Sequence, residues 1–224
     1  MNDYDNMIGE RPALVSGGEC TLEELGGPAA ERSTGLILTW RNKLVFGLDL
    51  HALPIGARGR QDVHAFVGIG GHLEADEQWH HAVMREAQEE ANCPISLGDS
   101  AVTYFCREGE NPRPISYRWT EPYHPLLVWT ATFNLRRGTA TLVNAVFRAA
   151  ALGRPAPGAK ISGLLLMDQE TLIHTYLNPR PLGELLDRGA QVIGELPPPD
   201  TVLAPGGSAY FYGAWLAWQE REDN

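Results

Sequence analysis

The sequence predicts an α/β fold, a mixed sheet held between helices, and three observations carry that expectation. Short apolar runs bounded by turn residues recur along the chain and read as strands. One segment, Glu77–Ala91, has the periodicity and end signals of a helix. Strand-like runs lie on both sides of that helix, so the sheet draws on both halves of the chain. With 224 residues, 43% of them hydrophobic and 21% charged, the chain is globular rather than disordered and long enough to bury a core.

Taken in order, residues 1–33 are rich in Gly, Glu and Pro. They read as an arm with one short helix near Thr21–Leu25, capped by Thr21. Thr34–Trp40 and Lys43–Leu48 are apolar and separated by Arg41-Asn42, a hairpin signal. Leu53–Asp62 reads as a Gly/Arg/Pro loop, and His64–Ile69 as a short strand ending in Gly70-Gly71. Asp76 precedes the main helix as its expected N-cap. Asn92 suits a left-handed C-cap, and Pro94 blocks continuation. Val102–Cys106 follows as a strand, then a long loop, Glu108–Pro125, with prolines at 112, 114, 122 and 125. Leu126–Asn134 and Leu142–Ala151 read as strands around a turn at Arg136–Gly138. Ile161–Met167 is a further strand, after a turn at Arg154–Gly158. Asp168 is expected to cap a helix through His174. Leu182–Arg188 and Ala209–Glu220 are expected helices, with Pro197–Pro199 as a break between them.

Composition also limits function. The formal net charge of −10 argues against a nucleic acid polymer as partner, since backbone binding needs a basic face. It leaves room for a small phosphorylated substrate if divalent cations stand between the negative charges. The acidic N-terminus does not read as a signal peptide, and no apolar run is long enough to span a membrane. The three cysteines, Cys20, Cys93 and Cys106, form no C-x-x-C pair and fit a reducing cytoplasm.

The chemistry is concentrated in Gly71–Cys93. On a helix of about 100° per residue, Glu86, Glu89 and Glu90 gather on one face, beside an apolar face expected to hold Met84, Ala87 and Ala91. Carboxylates at i, i+3 and i+4 repel one another and add nothing to helix stability. Oxygen ligation of a hard cation explains their company; the bland alternative is a solvated acidic surface. Arg85 sits where its rigid fork can orient a carboxylate.

The spacing distinguishes the two. Gly71, Glu77, Arg85, Glu86, Glu89 and Glu90 resemble the fixed positions of the Nudix box, in register. At a chance of roughly 1 in 15 for each match, the coincidence along the chain is on the order of 1 in 50,000. Ala87 stands where a larger aliphatic is common, Asn92 replaces the usual Gly, and Ile69 replaces a frequent Pro. The resemblance implies an α/β/α sandwich and a pyrophosphohydrolase using Mg²⁺ or Mn²⁺ on a nucleoside diphosphate derivative or a related small diphosphate. It implies metal ligands at Glu86, Glu89 and Glu90, with Glu77 and the Gly70 carbonyl as added ligands. Glu86, Arg85 and Glu89 then form the catalytic group, with Glu86 as ligand or base and Arg85 orienting a glutamate. The loop before Ile161–Met167, where a further acid is common in that family, holds no carboxylate here, and Glu108, Glu110 and Glu121 are the substitutes.

The long loop carries the substrate candidates: Arg113 and Arg118 for phosphate, Tyr117 and Trp119 for stacking on a base. Packing of this loop on its own domain is the competing reading. His80 and His81 read as surface or packing residues. The aromatic C-terminal helix reads as core, with a homodimer surface as the alternative. The chain is expected to divide into an arm (1–33), a Nudix-like hydrolase domain (34–176) to which the resemblance extends, and a C-terminal helical extension packed on it (177–224). Two rivals stay open: a ligand-binding module without turnover, and an isomerase of isoprenoid diphosphates, which would need a nucleophilic cysteine.

Overall fold

A computed structural model of the chain describes residues 21–27, 30–50, 54–58, 61–135 and 138–222. Most of the expected arm with Cys20, part of the Leu53–Asp62 loop and the turn residues 136–137 lie outside the described residues. The elements run α1 (Leu22–Gly26), β1 (Glu31–Trp40), β2 (Lys43–Leu48), β3 (Gly56–Arg58), β4 (Gln61–Val67), β5 (Ile69–His72) and α2 (Trp79–Ala91). Then come β6 (Ile95–Gly98), β7 (Thr103–Cys106), β8 (Arg113–Ile115), β9 (Leu127–Leu135), β10 (Gly138–Ala151) and β11 (Gly163–Met167). The chain continues through α3 (Gln169–Leu177), β12 (Arg180–Pro181), α4 (Leu182–Asp187), β13 (Gln191–Gly194), β14 (Val202–Gly206) and α5 (Gly207–Glu222).

Side-chain alternation along the strands creates two layers of core. Leu36 and Leu38 of β1, Val45 of β2 and Leu164 and Leu166 of β11 face one side. Ile37, Phe46, Leu165 and Met167, their chain neighbours, face the other. α1 and α2 cover the first side with Leu22, Leu25, Trp79, Val83 and Ala87. α3, α4 and α5 cover the second with Leu172, Leu182, Leu185, Phe211 and Trp215. The result is the expected α/β/α arrangement, and the aromatic helix α5 belongs to the core. Burying each large apolar side chain stabilises it by about 1.5–3 kcal/mol.

The sheet is mixed. Its main path runs β12-β14-β4-β2-β1-β10-β9-β7-β8. β1 with β10, β14 with β4 and β7 with β9 are parallel, and the other pairings are antiparallel. The β1–β2 hairpin turns through Arg41 (φ 51°) and Asn42 (φ 61°). Two left-handed residues match the twist of the flanking strands.

Four expectations need correction. The main helix starts at Trp79 with Gln78 as N-cap, and Asp76 instead takes a left-handed turn position at φ 60°. Glu77 therefore lies outside the helix. Met84 is 47% exposed; the buried stripe is Trp79, Ala82, Val83, Glu86, Ala87 and Ala91. β1 begins at Glu31, inside the expected arm, and β3 occupies part of the expected loop. Residues 177–222 are not only helical, because β13 pairs with β11 and β14 pairs parallel with β4. Pro205 fits in β14 because β12 reaches only Val202 and Leu203, leaving the ladder edge beside Pro205 without need of its missing N–H. Asn92, by contrast, takes the expected left-handed cap, φ 45° and ψ 40°. Among the described residues, no helix is long and apolar enough to cross a membrane.

Candidate functional site

The site forms where β5 passes the C-terminal half of α2. A Cβ on Gly71 would stand 2.3 Å from Glu86 Oε1, so only glycine lets the Glu86 carboxylate tuck beneath the strand. Glu86 is 2% exposed. One turn on, Glu90 accepts a hydrogen bond of 3.0 Å from the Gly70 amide. Burial pushes the Glu90 carboxyl up to about 7, although the Gly70 N–H works the other way. Gly70 thus joins the cluster through its N–H, while its carbonyl was the expected contributor.

Arg85 organises the acids. Its Nε and Nη2 hold the two oxygens of Glu77, each at 3.0 Å. Its Nη1 donates to Glu86 Oε1 at 2.6 Å and to Glu89 Oε1 at 3.3 Å, and its Nη2 also reaches the His72 carbonyl at 3.1 Å. These bonds hold Glu77 below the usual carboxylate range and raise Arg85 above its ordinary value. Arg85 therefore orients three carboxylates, where the sequence suggested one. Glu77 meets Arg85 from the loop before α2 rather than from its first turn.

The segment before β11 docks on the end of α2. The amides of Ala156 and Gly158 donate to the carbonyls of Ala91 and Glu90, at 2.9 and 2.8 Å, satisfying acceptors a helix end leaves open. That docking delivers Lys160. Its Nζ lies 2.5 Å from Glu89 Oε2 and 3.5 Å from Glu86 Oε2. The Lys160 bond lowers the Glu89 carboxyl, and Glu89 in turn raises Lys160. Glu86 Oε2 is buried and, beyond that ion-pair distance, has no hydrogen bond. Lys160 is not among the residues expected at the site, because its loop holds no carboxylate. The signal was present: Lys43 and Lys160 are the only lysines in the chain.

The donor set suits a hard divalent cation. Glu86, Glu89 and Glu90 share one turn, and one buried oxygen among them awaits a partner. Among the described residues, no three ligating side chains converge on a single point. Arg85, Lys160 and the Gly70 amide each hold part of the cluster.

The long loop goes elsewhere. Glu121 caps α2: its carboxylate accepts from the amides of Trp79 and His80, both at 2.9 Å, and meets His80 Nδ1 at 2.8 Å. A carboxylate at a helix N-terminus is favoured by the dipole, and this role explains why Gln78 provides no side-chain cap. Glu108 is exposed, and Glu110 pairs with Arg107 at 3.7 Å. Tyr117 bonds Thr103 Oγ1 at 2.7 Å, and Trp119 Nε1 donates to the Tyr123 carbonyl at 2.9 Å. The Trp119 ring packs near Trp79, Tyr117 and Phe147. Arg113 lies over the Phe105 ring, and Arg118 is exposed. Tyr117 and His124 help line a cleft of about 500 Å³, but no box residue lines it. The structure therefore gathers Gly70, Glu77, Arg85, Glu86, Glu89 and Glu90, and places Tyr117, Arg118 and Trp119 on the loop packed at the other end of α2, while Arg113 stands on β8, a strand within the expected loop.

Compared with known proteins, the sequence matches no family model and no curated protein at a significant level. Solved structures with a similar chain course include the MutT protein from Methanosarcina mazei, 12% identical, with a TM-score of 0.45 over 87% of this chain and 96% of that one. An ADP-ribose pyrophosphatase from Streptococcus suis is 11% identical, with a TM-score of 0.41 over 87% and 92%. A NUDIX hydrolase from Nitrosomonas europaea is 16% identical, with a TM-score of 0.38 over 64% of this chain and only 60% of that one. Overlaps this loose leave the chain's own residues to carry its function.

Proposed function

We propose that this chain is a Nudix-type pyrophosphohydrolase that uses Mg²⁺ or Mn²⁺ to cleave a diphosphate linkage in a nucleoside diphosphate derivative or a related small diphosphate. The observation that carries the reading is the Arg85-centred cluster: residues matched in register to the box stand together around one turn of α2, under a strand whose Gly71 makes room for Glu86. Glu86, Glu89 and Glu90 would hold the metal, with Glu77 and the Gly70 carbonyl as added ligands. A divalent cation there supplies charge neutralisation on the diphosphate oxygens and acidifies the attacking water.

The protein's share is positioning and proton transfer. Arg85 fixes the Glu86 carboxylate from one side, and the missing side chain at Gly71 fixes it from the other. Glu86 then accepts the proton from water as the new P–O bond forms. The bridging P–O bond breaks, and the leaving phosphate keeps the electron pair. Arg85 holds Glu89 and Glu77 in place through the same guanidinium. The isomerase reading is disfavoured by its nucleophile. Cys93 and Cys106 are both buried, and burial pushes the Cys106 thiol up to about 12.

A panel of nucleotide sugars, dinucleoside polyphosphates, damaged nucleotides and coenzymes, assayed with Mg²⁺ and with Mn²⁺, tests the reading. Turnover into two phosphate-bearing products is expected for at least one member. Glu90→Gln keeps the hydrogen bond to Gly70 and the fold, and should lower kcat by orders of magnitude. Near-normal turnover by that variant on the best substrate would refute the metal assignment. Tight binding without cleavage across the panel would favour the ligand-binding module.

A further inference from the structure

Resting on that reading, we infer that Lys160 is a tethered placeholder cation: its ammonium occupies the space between Glu86 and Glu89, and a divalent metal must displace it to bind. Two distances mark the position, 2.5 Å to Glu89 Oε2 and 3.5 Å to Glu86 Oε2. Neither contact is an accident of a free surface chain. The backbone before Lys160 is fixed to the end of α2 by the Ala156 and Gly158 amides. Gly158 lies so close that a Cβ there would meet the Glu89 carbonyl at 1.7 Å. The tether and the acids are therefore parts of one docked unit.

The charge balance favours this role. Three glutamates crowd one helical turn, and Arg85 already divides its donors among Glu77, Glu86 and Glu89. A second cation relieves the remaining repulsion in the metal-free protein. Lys160 is suited to leave: its side chain is 53% exposed, while that of Glu86 is 3% exposed. An ammonium on a flexible stem can swing into water, and the buried carboxylate stays behind. The Glu86 Oε2 atom, buried without a hydrogen bond, is the ligand oxygen that Lys160 screens and does not satisfy. Lys160 is thus a residue that sets metal affinity, without touching substrate.

Mn²⁺ titration of metal-free protein, with free Mn²⁺ read by electron paramagnetic resonance, separates the possibilities. Lys160→Met removes the competing charge and keeps the stem. It should bind Mn²⁺ about tenfold more tightly, equivalent to about 1.4 kcal/mol. Lys160→Arg retains the charge and should bind as the parent does. Thermal melts in EDTA should show a cooperative transition for both variants, at a lower temperature for Lys160→Met because the acids lose their partner. Equal or weaker Mn²⁺ binding by Lys160→Met, with the parent still binding, overturns the placeholder role and leaves the hydrolase reading intact. Absence of Mn²⁺ binding in all three proteins overturns both.

Discussion

Replacing Gly158 by alanine tests whether the docking of residues 154–160 on α2 holds the site together. Gly158 does not occupy the left-handed region, so alanine meets no backbone penalty there. The obstacle is contact. The new methyl would lie 1.7 Å from the Glu89 carbonyl oxygen, 2.6 Å from its carbon and 3.0 Å from Glu90 Cα, all of them helix backbone that cannot rotate away. The loop must lift, and the hydrogen bonds donated by the Ala156 and Gly158 amides lengthen or break. Two hydrogen bonds at about 1 kcal/mol each, plus the cost of leaving helix carbonyls partly buried and unmet, come to about 2–4 kcal/mol. For a chain of this size, at about 2–4 °C for each kcal/mol, that is a fall in Tm of roughly 4–16 °C. Gly153→Ala is the control. It lies in the same connection, and a Cβ there meets nothing within 4 Å. Far-UV circular dichroism melts in EDTA supply the reading. If Gly158→Ala and Gly153→Ala melt together at the parent temperature, the docking of residues 154–160 does not stabilise α2.

Two further substitutions probe the ends of α2. Glu121→Ala strips the cap from the Trp79 and His80 amides and should cost about 1–2 kcal/mol in chemical denaturation. It should leave Mn²⁺ affinity unchanged, and a collapse of that affinity would make Glu121 a metal ligand after all. Asn92→Gly should leave stability within a few tenths of a kcal/mol, whereas Asn92→Ala should lose about 1 kcal/mol at a left-handed position. Equal stability of the two Asn92 variants would show that the cap conformation is not under strain.

Local signals made most of the framework legible. The β1–β2 turn, the Asn92 cap, the Asp168 cap of α3 and the apolar alternation of β1 and β11 each depend on residues within a few positions of one another. The box residues were legible for the same reason, since their spacing is short and helical. What stayed hidden depends on distant partners. The N-terminal boundary of α2 is decided by Glu121, 42 positions along the chain from Trp79. No local rule puts that carboxylate there. β14 carries a proline and owes its strand conformation to the parallel partner β4. Met84 sits near the apolar stripe by helical angle, but the sheet covers the arc centred on Val83, Glu86 and Ala87 and leaves Met84 in solvent. The stacking expectation for Tyr117 and Trp119 met a competing demand. The loop uses those rings to seal the first core beside Trp79.

The parallel register of β14 on β4, Val202 beside Val63 through Gly206 beside Val67, has a consequence for synthesis on the ribosome. While the intervening stretch is being translated, β4 has emerged with β3 and β2 along one edge, but among the described residues its opposite edge, the one β14 will take, has no neighbour. Its backbone donors and acceptors then stand ready to pair with any extended peptide nearby. The helix that follows β14 also brings Phe211 and Trp215 to the second core, so the part of that layer not covered by α3 and α4 stays open for the same interval. A nascent chain stalled before residue 202 should therefore be sticky, a natural client for chaperones, even though every box residue has already been made.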